Sequence, residues 1–282
     1  LGDVYKRQPF YQYNTIIVGT GAAGLNAAVT LHKLGQKNIA LITEGRYMGT
    51  SRNTGSDKQT YYKLTQCGSE PDSVRKMAET LFDGGCVDGD IAMAEAAGSL
   101  RAFYHLVDIG VPFPFNKSGE YVGYKTDHDP LKRGISAGPL TSKYMTECLE
   151  RQAEERGIPF FDGYQAVRLL TEEKNGEKWA AGIIALNKRK AASADERYAV
   201  FSAVNIIWAT GGEAGMYQAS VYPVNLTEGI GILLEAGAVA KNLTESQFGI
   251  ASVKHRWNLS GTFQQCLPRY ISAEQDGSHE RE

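Results

Sequence analysis

The N-terminal part of the chain alternates short apolar runs with a glycine-rich turn and a helical pattern. Residues 14–18 (NTIIV) form a β-rich run that ends at a glycine, and residues 38–43 (NIALIT) form a second one. Between the two runs, apolar residues recur at helical spacing, at Ala23, Ala27, Leu31 and Leu34. A strand, a glycine turn, a helix and a second strand in such a short span predict one parallel βαβ unit.

Helical patterns dominate the next part of the chain. Ser69 and Asp72 have the spacing of a capping box before one helix, and Asp90 is predicted to cap another. The later helices are predicted over residues 90–108, 141–156 and 228–237. Residues 45–58 have no apolar period and are rich in small polar side chains, so we predict a loop there.

After residue 163 the apolar period changes to two. Residues 164–171 and 178–186 are predicted to form a hairpin, because Asn175-Gly176 between them favours a tight turn. Another strand is predicted at residues 198–202. A further strand is predicted at residues 204–209 and is followed by Thr210-Gly211-Gly212. The pattern predicts a parallel sheet that is interrupted by a small antiparallel meander.

Composition narrows the possible classes of protein. With a net charge of -2 and a pI near 6.3, the chain has no broad basic field for nucleic acid or an anionic membrane. No apolar run approaches the roughly 20 residues that a membrane span needs. Four cysteines lie too far apart for a disulfide framework or a zinc site, so we expect reduced thiols, a cytoplasmic location and no bound metal.

The first turn carries the strongest chemical signal. Residues 19–24 read Gly-Thr-Gly-Ala-Ala-Gly, the G-x-G-x-x-G motif, between a predicted strand and a predicted helix. Gly19 permits the tight turn, Gly21 lets the backbone approach a pyrophosphate, and Gly24 lets helix and strand pack closely. Glu44 ends the second strand about 20 positions later, where an acid accepts hydrogen bonds from ribose hydroxyls. These residues predict a site for the adenosine diphosphate end of a dinucleotide.

The position of this motif and the later segment Ala209-Thr-Gly-Gly212 resemble the FAD-binding domain of a known family. This is the fumarate reductase and succinate dehydrogenase flavoprotein family, which includes L-aspartate oxidase, and the similarity covers almost the whole chain after residue 9. Residues 110–113 (GVPF), 164–167 (YQAV) and 242–248 (NLTESQF) are similar to family segments in the same order. His128 and Arg133 resemble the family's His-x-x-x-x-Arg segment.

The resemblance implies a set of cofactor-binding residues. The loop after residue 49 would follow the ribityl chain and the flavin, the strand with Ala166 would touch the adenine, and Glu228 takes the place of a family aspartate. The implied FAD-binding residues are Gly19, Thr20, Gly21, Ala22, Ala23, Gly24, Glu44, Gly45, Thr50, Ser51, Arg52, Asn53, Thr54, Gly55, Ala166, Ala209, Thr210, Gly211, Gly212 and Glu228.

The chain also departs from the family pattern. Residues 47–53 contain no histidine of the kind that bonds to the flavin in some members, so we expect noncovalent FAD. After Gln-Phe the family has His-Pro, whereas this chain has Gly249 and Ile250, which puts fumarate, succinate and aspartate in doubt as substrates. His255 lies six residues beyond Gly249 and is a candidate for the same cleft, but we interpret it as a surface residue.

We therefore predict an α/β fold: a Rossmann-like FAD/NAD(P)-binding domain with a parallel sheet, an inserted antiparallel β-meander and the beginning of a capping domain. Residues 1–8 are interpreted as a scar of sequencing-library preparation, residues 9–245 as the FAD-binding domain and residues 246–282 as the first part of a truncated capping domain. The catalytic acid and the substrate arginines are expected outside this chain.

The function implied by the resemblance is that of an FAD-dependent oxidoreductase. It would transfer hydride between flavin N5 and a small polar, carboxylate-bearing substrate, with an unidentified electron donor or acceptor as partner. Two alternatives stay open. One is an amine or amino-acid oxidase or a tRNA-modifying flavoprotein, the latter disfavoured by the absence of a basic patch. The other is a non-catalytic flavin-binding fragment.

Overall fold

The computed structural model describes most of the chain. The described residues are 8–54, 59–85, 87–126, 129–212, 229–241, 251–252, 257–258, 269, 271–274 and 276–279. The strands are β1 (Phe10–Val18), β2 (Ile39–Thr43), β3 (Tyr61–Tyr62), β4 (Gly134–Ile135), β5 (Phe160–Asp162), β6 (Tyr164–Lys174), β7 (Glu177–Asn187), β8 (Tyr198–Trp208), β9 (Ala251–Ser252) and β10 (Trp257–Asn258). The helices are α1 (Ala22–Lys33), α2 (Thr50–Asn53), α3 (Val74–Asp83), α4 (Gly89–Asp108), α5 (Thr141–Glu155) and α6 (Ile230–Glu235).

A six-stranded sheet with the order β5-β2-β1-β8-β7-β6 forms the centre of the fold. Strands β5, β2, β1 and β8 are mutually parallel. Strands β7 and β6 continue the sheet, and each is antiparallel to its preceding neighbour in the sheet. The predicted α/β class, with a parallel sheet and an antiparallel meander, is confirmed.

Strand β8 is longer than the sequence suggested. The prediction of two strands, 198–202 and 204–209, is wrong, because one continuous strand runs over Tyr198–Trp208. Strand β1 also starts earlier than predicted, at Phe10, and pairs with β8 from Phe10↔Val200 to Val18↔Trp208. The same strand β8 pairs with β7 on its other side, so the meander and the parallel sheet share it.

The β6–β7 hairpin forms where the sequence placed it. Its turn residues Asn175 and Gly176 have φ values of 56° and 81°. Positive φ at both central positions is the requirement of the tight turn that Asn-Gly favours.

Several local predictions need correction. In α1 the most buried residues are Gly24, Leu25, Ala28 and Val29, while Ala23 and Leu34, two of the residues that gave the helical spacing, are exposed. The cap of α3 is Ser73, not Ser69, and the cap of α4 is Asp88, not Asp90. The loop predicted at residues 45–58 contains the short helix α2. Strand β5 was not predicted from the sequence.

The central strands are buried on both faces. Ile17 of β1 contributes to one apolar cluster with α1, α4 and α5, whereas Ile16 and Val18 contribute to a second cluster with the meander. This alternation follows from the two-residue period of a strand. Within the part of the chain that the structure describes, no helix is both long and apolar enough to cross a bilayer.

Candidate functional site

The carboxyl ends of three neighbouring strands meet at the first glycine turn. The Gly19 N–H donates to the Ile42 carbonyl at the end of β2, with N···O 2.9 Å. The Ala209 N–H donates to the Val18 carbonyl, with N···O 2.8 Å, and so joins the end of β8 to the end of β1. Ligands of open α/β sheets bind at this edge, outside the carboxyl ends of the strands.

Two of the three motif glycines are required by the fold itself. Gly19 has φ +107°, and a Cβ there would lie 2.2 Å from the Ala209 carbonyl oxygen. A Cβ on Gly24 would lie 2.1 Å from the Gly19 carbonyl oxygen. Both distances are far below van der Waals contact, so the turn, α1 and β8 can approach each other only with glycine at these positions.

Gly21 differs from the other two glycines. Its backbone is extended, with φ -74° and ψ -178°, and of the residues that the structure describes an added Cβ would meet only the Ser51 side chain, at 3.2 Å from Oγ. Neither the conformation nor the packing of the described residues therefore demands glycine here. A glycine that the fold does not need leaves room for the close approach of a ligand to the backbone.

The N-terminus of α1 opens at the same place. Gly21 is its N-cap residue and provides no side-chain cap, and the first turn carries no acidic residue. The Ala22 N–H donates to Ser51 Oγ with N···O 3.2 Å. The first amides of a helix and the positive end of its dipole favour an anion such as a phosphate.

Glu44 follows β2 directly and lies about a third exposed. Its Oε1 accepts a hydrogen bond from Lys188 Nζ at 2.6 Å. Next to the turn, the Thr20 hydroxyl donates to the Thr43 hydroxyl at 3.0 Å. The acid predicted to bind ribose is therefore at the sheet edge, with a lysine as its partner.

A cleft of about 350 Å³ opens beside Ser51. Its lining side chains are almost all neutral and polar, and they are Thr50, Ser51, Thr54, Gln59, Thr60, Tyr61, Thr141, Ser142 and Met145. Gln59 Oε1 accepts from both the N–H and the hydroxyl of Ser142, at 2.9 and 3.0 Å. Burial, and more weakly the charge of Glu95, raises the pKa of Tyr61 to about 12, so its phenol is neutral near pH 7.

The other predicted cofactor residues are placed as follows. Arg52 is paired with Glu150 on α5, while Asn53 Nδ2 donates to the Tyr47 and Gly49 carbonyls within its own loop. A Cβ on Gly45 would lie 2.4 Å from Met48 Sδ, and Ala166 contacts the apolar cluster around Ile42.

Thr210 is half-buried, and Gly211 and Gly212 are exposed at the end of β8. Gly55 and Glu228 lie outside the described residues, as do His128, Gly249 and His255.

Arg133 has a structural role that the sequence did not reveal. It is completely buried, and its Nε and Nη2 donate to the two carboxylate oxygens of Asp72 at 2.9 and 2.7 Å. Nη1 also donates to the Thr80 hydroxyl at 2.9 Å. The two charges are 61 positions apart along the chain, so no local pattern could have paired them.

Comparison with known proteins agrees with this geometry. Residues 14–268 match the model of the FAD binding domain family. The chain is 27% identical to an L-aspartate oxidase of Agrobacterium fabrum, over 83% of this chain and 42% of that protein. It is 25% identical to a succinate dehydrogenase flavoprotein subunit of Coxiella burnetii, over 84% and 40%. In fold it is similar to E. coli quinol fumarate reductase, with TM-score 0.67 and 20% identity, over 80% of this chain and 37% of that one.

The chain spans less than half the length of these relatives. The family model, in contrast, covers most of the chain, including the glycine turn, the cleft and the end of β8. The chain therefore belongs to the FAD binding domain family, and FAD is its cofactor.

Proposed function

We propose that the protein is an FAD-dependent oxidoreductase of the fumarate reductase and succinate dehydrogenase flavoprotein type. Its reaction would be hydride transfer between the flavin and a small polar, carboxylate-bearing substrate. Bound FAD supplies the two-electron chemistry, and the protein supplies binding, orientation and electrostatics.

The observation that carries the proposal is the unequal role of the three motif glycines. Gly19 and Gly24 are fixed by backbone contacts inside the protein, but among the described residues Gly21 faces only the Ser51 side chain. The first amides of α1, for which Gly21 provides no side-chain cap, lie beside it. We assign the pyrophosphate of FAD to this position, because its charge complements the helix N-terminus and its size requires a residue without a Cβ.

Two neighbouring features suit the remaining parts of the cofactor. Glu44 stands at the end of β2, where its carboxylate can accept hydrogen bonds from ribose hydroxyls. The cleft beside Ser51 is lined mainly by hydroxyl and amide groups, which match the neutral, hydroxyl-rich ribityl chain. We therefore place the adenosine end at Glu44 and the flavin end toward the cleft.

The same lining bears on the substrate. Among the described residues around the cleft there is no arginine, lysine or histidine. A carboxylate substrate would then take its cationic partners from other parts of the protein, in line with Gly249 replacing the family histidine. We propose that residues 9–245 bind FAD and that residues 246–282 begin a cap over the substrate. The attachment of FAD is proposed to be noncovalent, since residues 47–53 contain no histidine.

The choice between a reductase and an oxidase is tested with the FAD-loaded protein. The flavin is reduced anaerobically, and fumarate, other unsaturated carboxylates and oxygen are added in turn while its absorbance is followed. The proposal expects rapid reoxidation by an unsaturated carboxylate other than fumarate. Rapid reoxidation by oxygen alone, together with reduction by an amino acid, would favour the oxidase alternative, and no reoxidation by any acceptor would favour a non-catalytic flavin-binding module.

A further inference from the structure

Helix α5 presents an acidic face to the loop at residues 45–54, part of which lines the cleft. Glu147, Glu150 and Glu154 are spaced by three and four residues, so they lie on one side of the helix. Opposite them are two arginines: Arg46, from the segment that connects β2 to α2, and Arg52, from α2 itself. This face therefore joins two parts of the chain that are about a hundred positions apart.

Glu150 is the central member of the face. Its Oε1 accepts from Arg46 Nε at 2.5 Å, and its Oε2 accepts from Arg52 Nη2. Its side chain is only 10% exposed, compared with 42% for Glu147 and 52% for Glu154. Electrostatic attraction is much stronger at a buried carboxylate than at a solvated one, so Glu150 holds the arginines more firmly than its neighbours do.

Arg52 depends on this carboxylate. Its side chain is 14% exposed, its Nε is buried without a hydrogen-bond partner among the described residues, and its second ion pair, with Glu147, is longer at 3.6 Å. Aromatic rings restrict both arginines further. The Arg46 guanidinium lies 4.1 Å from the centre of the Phe160 ring, and that of Arg52 lies 5.1 Å from the centre of the Tyr47 ring.

Arg52, one of the two arginines that Glu150 binds, is adjacent in sequence to a residue that contacts the cofactor turn. Arg52 follows Ser51, whose Oγ accepts the Ala22 N–H at the N-terminus of α1. Helix α5 itself supplies Thr141, Ser142 and Met145 to the lining of the cleft. One helix thus lines part of the cleft and also binds the loop that lines another part of it.

We infer that Glu150 is a positioning residue for the flavin: through Arg46 and Arg52 it sets the distance between α5 and the loop that contains α2 (Thr50–Asn53). The inference rests on the proposed function, because it assumes that the flavin end of FAD lies in this cleft. Glu150 does not line the cleft, so it would act only through the loop.

The test compares Glu150→Gln with Glu154→Gln in the FAD-loaded protein. Both variants remove one negative charge from the same face of α5, but only the first removes the buried carboxylate that binds both arginines. We expect the Kd for FAD to rise by about tenfold or more in Glu150→Gln, and by less than about twofold in Glu154→Gln.

A second readout separates positioning from stability alone. At saturating FAD, visible circular dichroism reports the surroundings of the bound flavin, and we expect an altered spectrum for Glu150→Gln and an unchanged one for Glu154→Gln. If Glu150→Gln fails to fold, Arg52→Lys is measured instead, because it keeps the charge but loses the planar guanidinium that Glu150 binds. This variant should likewise alter the spectrum.

The outcomes are distinguishable. If the wild-type protein binds no FAD, the proposed function fails. If the wild type binds FAD while Glu150→Gln or Arg52→Lys has the wild-type Kd and spectrum, the inference about Glu150 is overturned and the proposed function is unaffected.

Discussion

The change Gly21→Ala tests the cofactor assignment with the least disturbance of the fold. Alanine adopts the Gly21 backbone angles of -74° and -178° without strain. Its Cβ would meet Ser51 Oγ at 3.2 Å, a close contact that a small movement of the serine side chain relieves. The added methyl group would occupy the place that we assign to the pyrophosphate.

The expected magnitudes for folding and for binding are different. Alanine is a poorer N-cap than glycine by a few tenths to about 1 kcal/mol. Alanine also lowers the conformational entropy of the unfolded chain, and this stabilises the folded protein by about 0.4–1 kcal/mol. Stability should therefore change by less than about 1 kcal/mol, or about 2–4 °C in Tm. Loss of one charge-assisted hydrogen bond to the pyrophosphate weakens binding by about 1.5–3 kcal/mol, or about 10–150-fold in Kd.

The assay titrates the apoprotein with FAD and follows the flavin fluorescence, with thermal unfolding of the apoprotein measured in parallel. Gly98→Ala is the matched control, because Gly98 lies within α4 and a Cβ there would have no atom of the described part of the chain within 4 Å. It should keep wild-type affinity. Gly24→Ala should instead lower Tm, because its Cβ would lie 2.1 Å from a carbonyl oxygen.

Wild-type FAD affinity in Gly21→Ala, with its folding intact, would refute the assignment of the pyrophosphate to this turn. A large loss of Tm in the apoprotein of the same variant would refute the claim that the fold does not need this glycine.

The remaining predictions concern attachment, substrate and acid stability. Acid precipitation should release all the flavin into the supernatant, and flavin left in the pellet would contradict noncovalent binding. The FAD-loaded wild type should turn over fumarate poorly, and Gly249→His alone should not restore it, because Ile250 also differs from the family; robust wild-type fumarate turnover would contradict this. Burial acts to raise the pKa of Asp72, but hydrogen bonds from Arg133 and the backbone outweigh it and hold the pKa below its usual value. Its contribution to stability is thus complete above about pH 4 and is lost as the pH falls through the lowered pKa. Asp72→Asn should be less stable than the wild type at pH 7 by about 3–5 kcal/mol, and its Tm should fall less on acidification. If the variant has the same Tm as the wild type at every pH from 7 to 3, the role of the pair is contradicted.

The parts of the fold that could be predicted from sequence are those with short-range causes. The Gly19 turn and the Asn175-Gly176 turn were predictable because both need positive φ, which glycine and asparagine tolerate. The central strands were predictable because burial on both faces gives continuous apolar runs. Strand β5 was missed, since three residues that pair only with the distant β2 carry no period of their own.

The candidate site shows the same limit. Its glycine motif and Glu44 are recognisable because their spacing has a local meaning, and the hydroxyl-rich loop could be placed by family resemblance. The partners that hold this loop could not be found in that way. Glu150 and Arg52 are 98 positions apart, and nothing in either segment indicates the other. Only the packing of α5 against the loop brings the two together.

The most direct test of the central claim is the flavin content of the purified wild-type protein, measured after acid release and chromatographic separation of FAD from FMN. We predict about one FAD per folded chain after reconstitution, all of it in the acid supernatant. A folded protein that retains no flavin, or that prefers FMN and so makes no use of the adenosine site at Glu44 and the glycine turn, would contradict it.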